Sequence, residues 1–170
     1  MNSTPIVRLR AMEPEDLDLL YTIENDTSLW GVGATNVPYS RYTLHDYIAN
    51  ASGDIYADGQ VRLIIENADG QAIGIADIVN FNASHRRAEL GLVIQRPYRG
   101  KGYAASAIAR LADYALSVLH LHQLYVVISS DNESCLRLFE RMGYQSSAVL
   151  PQWLFDGKTY HDAIVMQTFL

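Results

Sequence analysis

The stretch that most constrains this chain is "AELGLVIQRPYRGKGYAASAIARLADYALSVL", residues 88 to 119. Its first part is mostly apolar and reads as a strand that ends before Pro97. Ala104, Ile108, Leu111, Ala112, Ala115, Leu116 and Leu119 recur at spacings of three and four, which predicts a helix over about 102–119. A strand that passes into a helix through "RGKGYA" points to an α/β domain with a glycine turn at a helix N-terminus. The first amides of a helix have no intrahelical partner, and the dipole adds partial positive charge there. Glycines let a ligand approach the backbone, and Arg99 and Lys101 add formal charge. The sum suits an anion such as phosphate. A tight turn with solvated charges is the plainer alternative.

The rest of the chain reads as one domain. "IVRLRAM" alternates as a short strand. "EPEDLDLLYTIEND" reads as a helix with Pro14 and acids early, and Leu17, Leu20, Tyr21 and Glu24 are expected on one face. "TSLWGVGATNVPYS" is a glycine-punctuated loop. "RYTLHDYIANA" is a helix with Ser40 as its cap. Residues 52 to 59 read as a loop. "VRLIIENADGQAIGIADIVNF" is two strands joined at "NADG", and "RRAELGLVIQ" is a third. "HQLYVVIS" is an apolar strand. "DNESCLRLFERMGY" is a helix capped by Asp131 or Asn132 and stopped at Gly143. "QSSAVLPQWLFDGKTYHDAIVMQTFL" is two strands around "DGK". We find no repeat, linker or charge block.

Composition narrows the function classes. In 170 residues, 49% are apolar and the formal net charge is −6. That charge argues against broad nucleic-acid binding, which needs a positive field. No apolar run approaches the ~18 residues of a membrane span, and the N-terminus lacks the apolar centre of a signal peptide. Cys135 is the single cysteine, so no internal disulfide can form, and a reducing, cytoplasmic setting fits. The histidines show no metal-ligand spacing, and no metal is expected.

In order of elements and in motif, the chain resembles the Gcn5-related N-acetyltransferases. "RGKGYA" matches the acetyl-CoA turn of that superfamily, with Arg99 followed at three and five positions by Gly102 and Ala104. "SSDNESCLRLFERMGY" matches the second signature, an Asn that opens a helix ending in glycine and an aromatic. "LRAMEPEDLDLLYTIENDTSLW", with Glu24, Asn25 and Trp30, is similar to the front of the branch holding ribosomal-protein alanine and spermidine acetyltransferases. The resemblance covers roughly residues 6 to 170 and implies one such domain over 1–170.

It implies a mixed sheet of six or seven strands with helices on both faces. Strands 90–95 and 124–128 are expected as neighbours that diverge beyond the turn. It places the acetyl-CoA pyrophosphate on Arg99, Gly100, Lys101, Gly102, Tyr103 and Ala104, and the pantetheine arm beside Leu92, Val93 and Ile94. The acetyl carbonyl would rest near the amides around Val93, which could stabilise an oxyanion. Asn132 would touch the cofactor arm, or serve only as a helix cap. Many relatives carry a tyrosine as the acid for the leaving thiolate; here Phe139 stands at that position, beside the cofactor, and has no proton to give. Tyr144 is expected to be packing.

The implied reaction is acetyl transfer from acetyl-CoA to a primary amine: a polyamine, a small amine metabolite or a protein N-terminus. An alkyl ammonium has a pKa of about 10, so a base must take its proton. Glu89 alternates onto one face with Gly91 and Val93 and is the first candidate; a surface salt bridge with Arg87 or another basic group is its alternative. Glu24 is the second, or a solvated helix acid; Asp77 ranks below both. Trp30, Tyr39, Tyr42, Tyr47, Tyr56, Trp153 and Tyr160 could bind a cation, fill a core or serve a homodimer contact. A domain that binds CoA with little or no catalysis is the other reading, kept open by Phe139.

Overall fold

The computed structural model describes residues 4–30 and 37–170. Strands β1 (Val7–Ala11), β2 (Val61–Asn67), β3 (Ala72–Asn82), β4 (Arg87–Ile94), β5 (Gln123–Ser129), β6 (Gln145–Phe155) and β7 (Tyr160–Phe169) form one seven-stranded sheet ordered β1-β2-β3-β4-β5-β7-β6. All neighbours are antiparallel except β4 and β5. The sheet is mixed, as the sequence implied.

Alternation divides the strands between two cores. Val61, Leu63 and Ile65 of β2, Ala76 and Ile78 of β3, and Ala88, Leu90 and Ile94 of β4 belong to one cluster. There they meet Ala107, Ile108, Leu111 and Ala115 of helix α4 (Tyr103–Ser117) and Phe139 of α5 (Glu133–Arg141). On the opposite face Ile64, Ile75 and Val93 pack with α1 (Leu17–Glu24) and α2 (Arg41–Ala49). The buried face of α1 is Leu19, Leu20 and Ile23. Leu17 and Tyr21 pack against the same cluster as Leu20, as expected; Leu19 and Ile23 widen that face, and Glu24 is half-buried. Ser40 caps α2, its hydroxyl accepting from the Thr43 amide at 3.0 Å.

Residues 52–59 are not simply a loop. Asp54 accepts from the Tyr56 amide and caps a single helical turn, α3 (Ile55–Asp58), closed by Gly59 at φ +68°. Residues 31–36, inside the glycine-punctuated loop, lie outside the described residues.

The β4–β5 junction fixes where a ligand can enter. The strands pair only at Arg87–Gln123, Ala88–Leu124 and Glu89–Tyr125. Beyond Glu89, β4 stays with β3 and β5 stays with β7. Each strand is held by an antiparallel ladder on its far side, so sheet twist separates the pair. The divergence therefore begins at Glu89, inside β4, and not beyond the turn as expected. Arg86 locks the closed end: its carbonyl accepts from His122 N–H at 2.7 Å, and its Nε donates to the His120 carbonyl at 2.7 Å.

At the other end of β5, His161 joins the terminal hairpin to the start of α5. Its Nε2 lies 2.7 Å from Asp156 Oδ2, and its Nδ1 meets Asp131. The hydrogen bond to Asp156, and then the charge of Asp131, outweigh desolvation and raise the imidazole above its ordinary pKa. The sign follows directly. A raised folded-state pKa gives stability that is whole below the unfolded value of about 6.5 and is lost as pH rises through the folded value. We expect His161→Gln to lower Tm clearly at about pH 5.5 and hardly at about pH 9.5. Thermal scans at both pH values check it, and an equal deficit at both would show that the clamp is not ionic.

Candidate active site

The glycine turn sits at the open end of the divergence. A 3-10 turn over Arg96–Tyr98 leads from β4 into it. Gly100 and Gly102 have φ of +72° and +87°, which L side chains resist. Gly102 is the N-cap of α4, and the first intrahelical bond runs from Ser106 N–H to its carbonyl at 3.2 Å. The amides before Ser106 therefore face outward at the N-terminus. Tyr103 and Ala104, at the first turn, are half-buried, and Lys101 is exposed with its Nζ 5.9 Å from the Tyr98 ring centre. Arg99 folds back, donating from Nε to the Ile94 carbonyl at 2.7 Å. It thus braces the strand end as well as charging the turn. Pro5 backs the turn: its carbonyl accepts from Ser106 Oγ at 2.6 Å.

Leu92, Val93 and Ile94 line the β4 side of the opening. Leu92 and Ile94 face α4, and Val93 faces α1 and α2. A Cβ on Gly74 would collide with the Val93 carbonyl oxygen. The glycine is what lets β4 press against β3 at this point. Asn132 is a helix cap, its Oδ1 accepting from the Cys135 amide at 3.3 Å, and it stands where β5 hands over to α5. Phe139 is 4% exposed and packs edge-on against Tyr144 with ring centres 4.9 Å apart. The Tyr144 hydroxyl is buried without a hydrogen-bond partner among the described residues, and burial pushes its phenol well up.

The acids occupy the α1–α2 face. Glu89 lies opposite Val79 on β3 and Tyr125 on β5, and its Oε2 accepts from Asn80 Nδ2 at 2.7 Å. No basic group pairs with it among the described residues, so the alternative of a salt bridge gives way to a bond from an amide. One step on, roughly 7 Å along the strand, is Gly91. Asp77 is the residue opposite it, and Arg62 is opposite Asp77. A Cβ at Gly91 would stand 3.3 Å from that of Asp77. Arg62 donates to both Asp77 oxygens at 2.8 Å and also pairs with Glu24. Glu24 is thus part of an ion triad and not a solvated helix acid. Burial pulls the Arg62 guanidinium down, but the hydrogen bonds and charge of Asp77 and the charge of Glu24 more than reverse that.

Removing Arg62 from the triad leaves two carboxylates without their counter-ion. We expect Arg62→Met to lose about 3 kcal/mol in urea unfolding. A loss below about 0.5 kcal/mol would class the triad with exposed surface pairs.

The aromatics do not form one cluster. Trp30 Nε1 donates to the Glu24 carbonyl at 2.9 Å, and Asn25 spans the Tyr21 and Tyr39 carbonyls at 3.0 Å each. These bonds tie Trp30 and Tyr39 back to the end of α1. Tyr47 lies by Arg62, Tyr56 meets Phe81 edge-on, and Tyr42, Trp153 and Tyr160 are exposed. Arg62, Asn80 and Tyr125 are absent from the sequence reading. For Arg62 a signal exists: an arginine inside the apolar strand "VRLII" needs a carboxylate partner.

Strands that part beside a glycine turn, with acids on one face at their junction, have the form expected of an acyltransferase that takes a CoA thioester. The sequence comparisons agree: the family model for the acetyltransferase (GNAT) domain matches residues 7–145, and the chain belongs to that family. It is 31% identical over 170 residues to the spermidine N(1)-acetyltransferase of Escherichia coli K12, covering 99% of this chain and 89% of the relative. The crystal structure of the Vibrio cholerae spermidine N-acetyltransferase in complex with CoA and spermine superposes with a TM-score of 0.84 at 27% identity. It covers 96% of this chain and 95% of that one. A dodecameric structure of the Vibrio enzyme gives 0.80 at 27%, over 96% and 93%. No helix among the described residues is long and apolar enough to cross a membrane. No group of three or more His, Cys, Asp or Glu among them could hold a metal ion.

Proposed function

We propose that this chain, as one domain over residues 1–170, is an acetyl-CoA-dependent N-acetyltransferase acting on a polyamine or a comparable multiply charged primary amine. The observation that carries the reading is the opening of β4 from β5 at Glu89, directly below the glycine turn. An extended pantetheine fits alongside Leu92, Val93 and Ile94, with its pyrophosphate on the amides of 99–104 and its arm passing Asn132 and Phe139. Spermidine acetyltransferases among the relatives support the polyamine. So does charge: among the described residues three acids, Glu89, Asp77 and Glu24, stand against Arg62 and, beside Glu89, Arg87, which leaves the acceptor side net negative.

The steps balance as an acyl transfer. The ammonium is drawn to the acids and gives a proton to Glu89, directly or through one water. The neutral nitrogen attacks the thioester carbon, and a C–N bond forms as the carbonyl oxygen gains charge near the amides around Val93, those of Leu92 and Ile94 alternating to the side that β5 leaves open. The C–S bond then breaks, and the nitrogen, left cationic by its attack, gives its second proton to solvent to become the amide. With Phe139 in place of a proton donor, solvent protonates the thiolate, which a thiol pKa of about 8.5 permits. Glu24, held by Arg62, attracts the cation and shapes the rim. A polyamine places further ammonium groups along Asp77 and Glu24. Several copies acting together belong to this reading, since a relative is dodecameric, and the homodimer is its minimal form.

The test is a panel of spermidine, butylamine and an alanine-initiated peptide, each with acetyl-CoA. We expect kcat/KM to be highest for spermidine. A preference for the peptide would move the substrate class to protein N-termini.

A further inference from the structure

Glu89 is a half-buried carboxylate on a central strand, carried on a flexible stem, yet a proton acceptor works only when one oxygen is aimed. The β3 strand contains a device that does this. In regular pairing, Val79 lies opposite Glu89 and shares its face. Residue 80 would then point to the other face, toward α4. It does not, because the register slips by one between Val79 and Asn82. Asn80 takes φ +50°, a left-handed conformation inside a strand. The extra residue turns its amide back over the sheet, and Nδ2 reaches Glu89 Oε2 at 2.7 Å.

Bulges re-aim side chains next to functional sites, and left-handed backbone at a residue other than glycine persists where the surroundings demand it. Asparagine tolerates that backbone better than most residues and carries a donor. Tyr125 completes the setting from β5. Burial first, then the Glu89 charge, push its phenol up, and Asn80 interacts with it from the side. The charged and titratable groups around Glu89 are thus Arg87 on β4, Tyr125 on β5, and the Asp77–Arg62–Glu24 triad one step along.

We propose that Asn80 is a positioning residue that fixes Glu89 Oε2 by its side-chain amide and leaves Oε1 directed at the acceptor nitrogen. This rests on the reading of Glu89 as proton acceptor.

Two variants test it, assayed with acetyl-CoA and the best amine of the panel above. Asn80→Gly removes the amide but accepts φ +50° without strain. Tm should hold or rise, CoA affinity by calorimetry should be unchanged, and kcat/KM should fall by roughly tenfold or more. Asn80→Asp keeps the shape but sets a carboxylate against Glu89. The shared repulsion should move the acid limb of the kcat/KM profile upward by about one pH unit or more. Wild-type kcat/KM in Asn80→Gly, a loss there that follows a falling Tm, or an unshifted limb in Asn80→Asp overturns the proposal. Glu89→Gln separates the levels. If that variant is inactive while Asn80→Gly is not, only the positioning role fails. If Glu89→Gln keeps its rate, the proton-acceptor reading itself fails.

Discussion

Glu89→Gln should lower kcat/KM by roughly 10²-fold or more while CoA binding stays intact. Glutamine keeps the volume and can still meet Asn80 by turning its own carbonyl to Nδ2, so the strand pairing at Val79 and Tyr125 has no reason to change. What is lost is the group that accepts a proton from an ammonium. Because a high pH deprotonates part of the amine without help, the deficit should shrink as pH approaches about 10. Wild-type rate at every pH would leave Asp77, Glu24 or solvent to take the proton. The position of Phe139 makes a second demand on the same experiment. Phe139→Tyr would add a phenol in the core beside Tyr144, and a large gain in rate would mean that thiolate protonation, rather than amine deprotonation, limits turnover.

Gly100→Val should weaken CoA binding tenfold or more in a protein that still folds. At φ +72° the substitution costs about 1–2 kcal/mol in backbone strain. The Cβ itself meets nothing within 4 Å. An incoming pyrophosphate is then the group it obstructs. Gly102→Val blocks the same approach less cleanly. Its Cβ would stand 3.0 Å from Pro5 Cδ at φ +87°, so loss of affinity comes with loss of stability. Calorimetric titration of CoA into both folded variants checks the turn, and unchanged affinity in Gly100→Val would remove it from the site.

Much of this site was legible because it depends on local pattern. The helix after "RGKGYA" follows from its three-and-four spacing, and the Glu89–Gly91–Val93 face follows from strand alternation. Both are set within a few residues. What escaped depends on strand pairing. Asn80 reaches Glu89 only through a register slip that alternation cannot anticipate. The triad needs β2 beside β3, which brings Arg62 opposite Asp77. The start of the β4–β5 divergence is decided by ladders with β3 and β7, one of them more than 60 residues away in the chain. The helical turn at 55–58 is too short to show periodicity, although Asp54 and Gly59 bracket it as cap and stop.

The most direct measurement of the central claim is release of free thiol from acetyl-CoA, followed together with the mass of the amine product. The account predicts that spermidine gives thiol and mono-acetylated amine in equal amounts, that Glu89→Gln suppresses both, and that Gly100→Val raises the acetyl-CoA concentration needed. Thiol release no faster than in buffer with every amine of the panel, in a protein that binds CoA tightly, would contradict it and leave a CoA-binding domain without transfer chemistry.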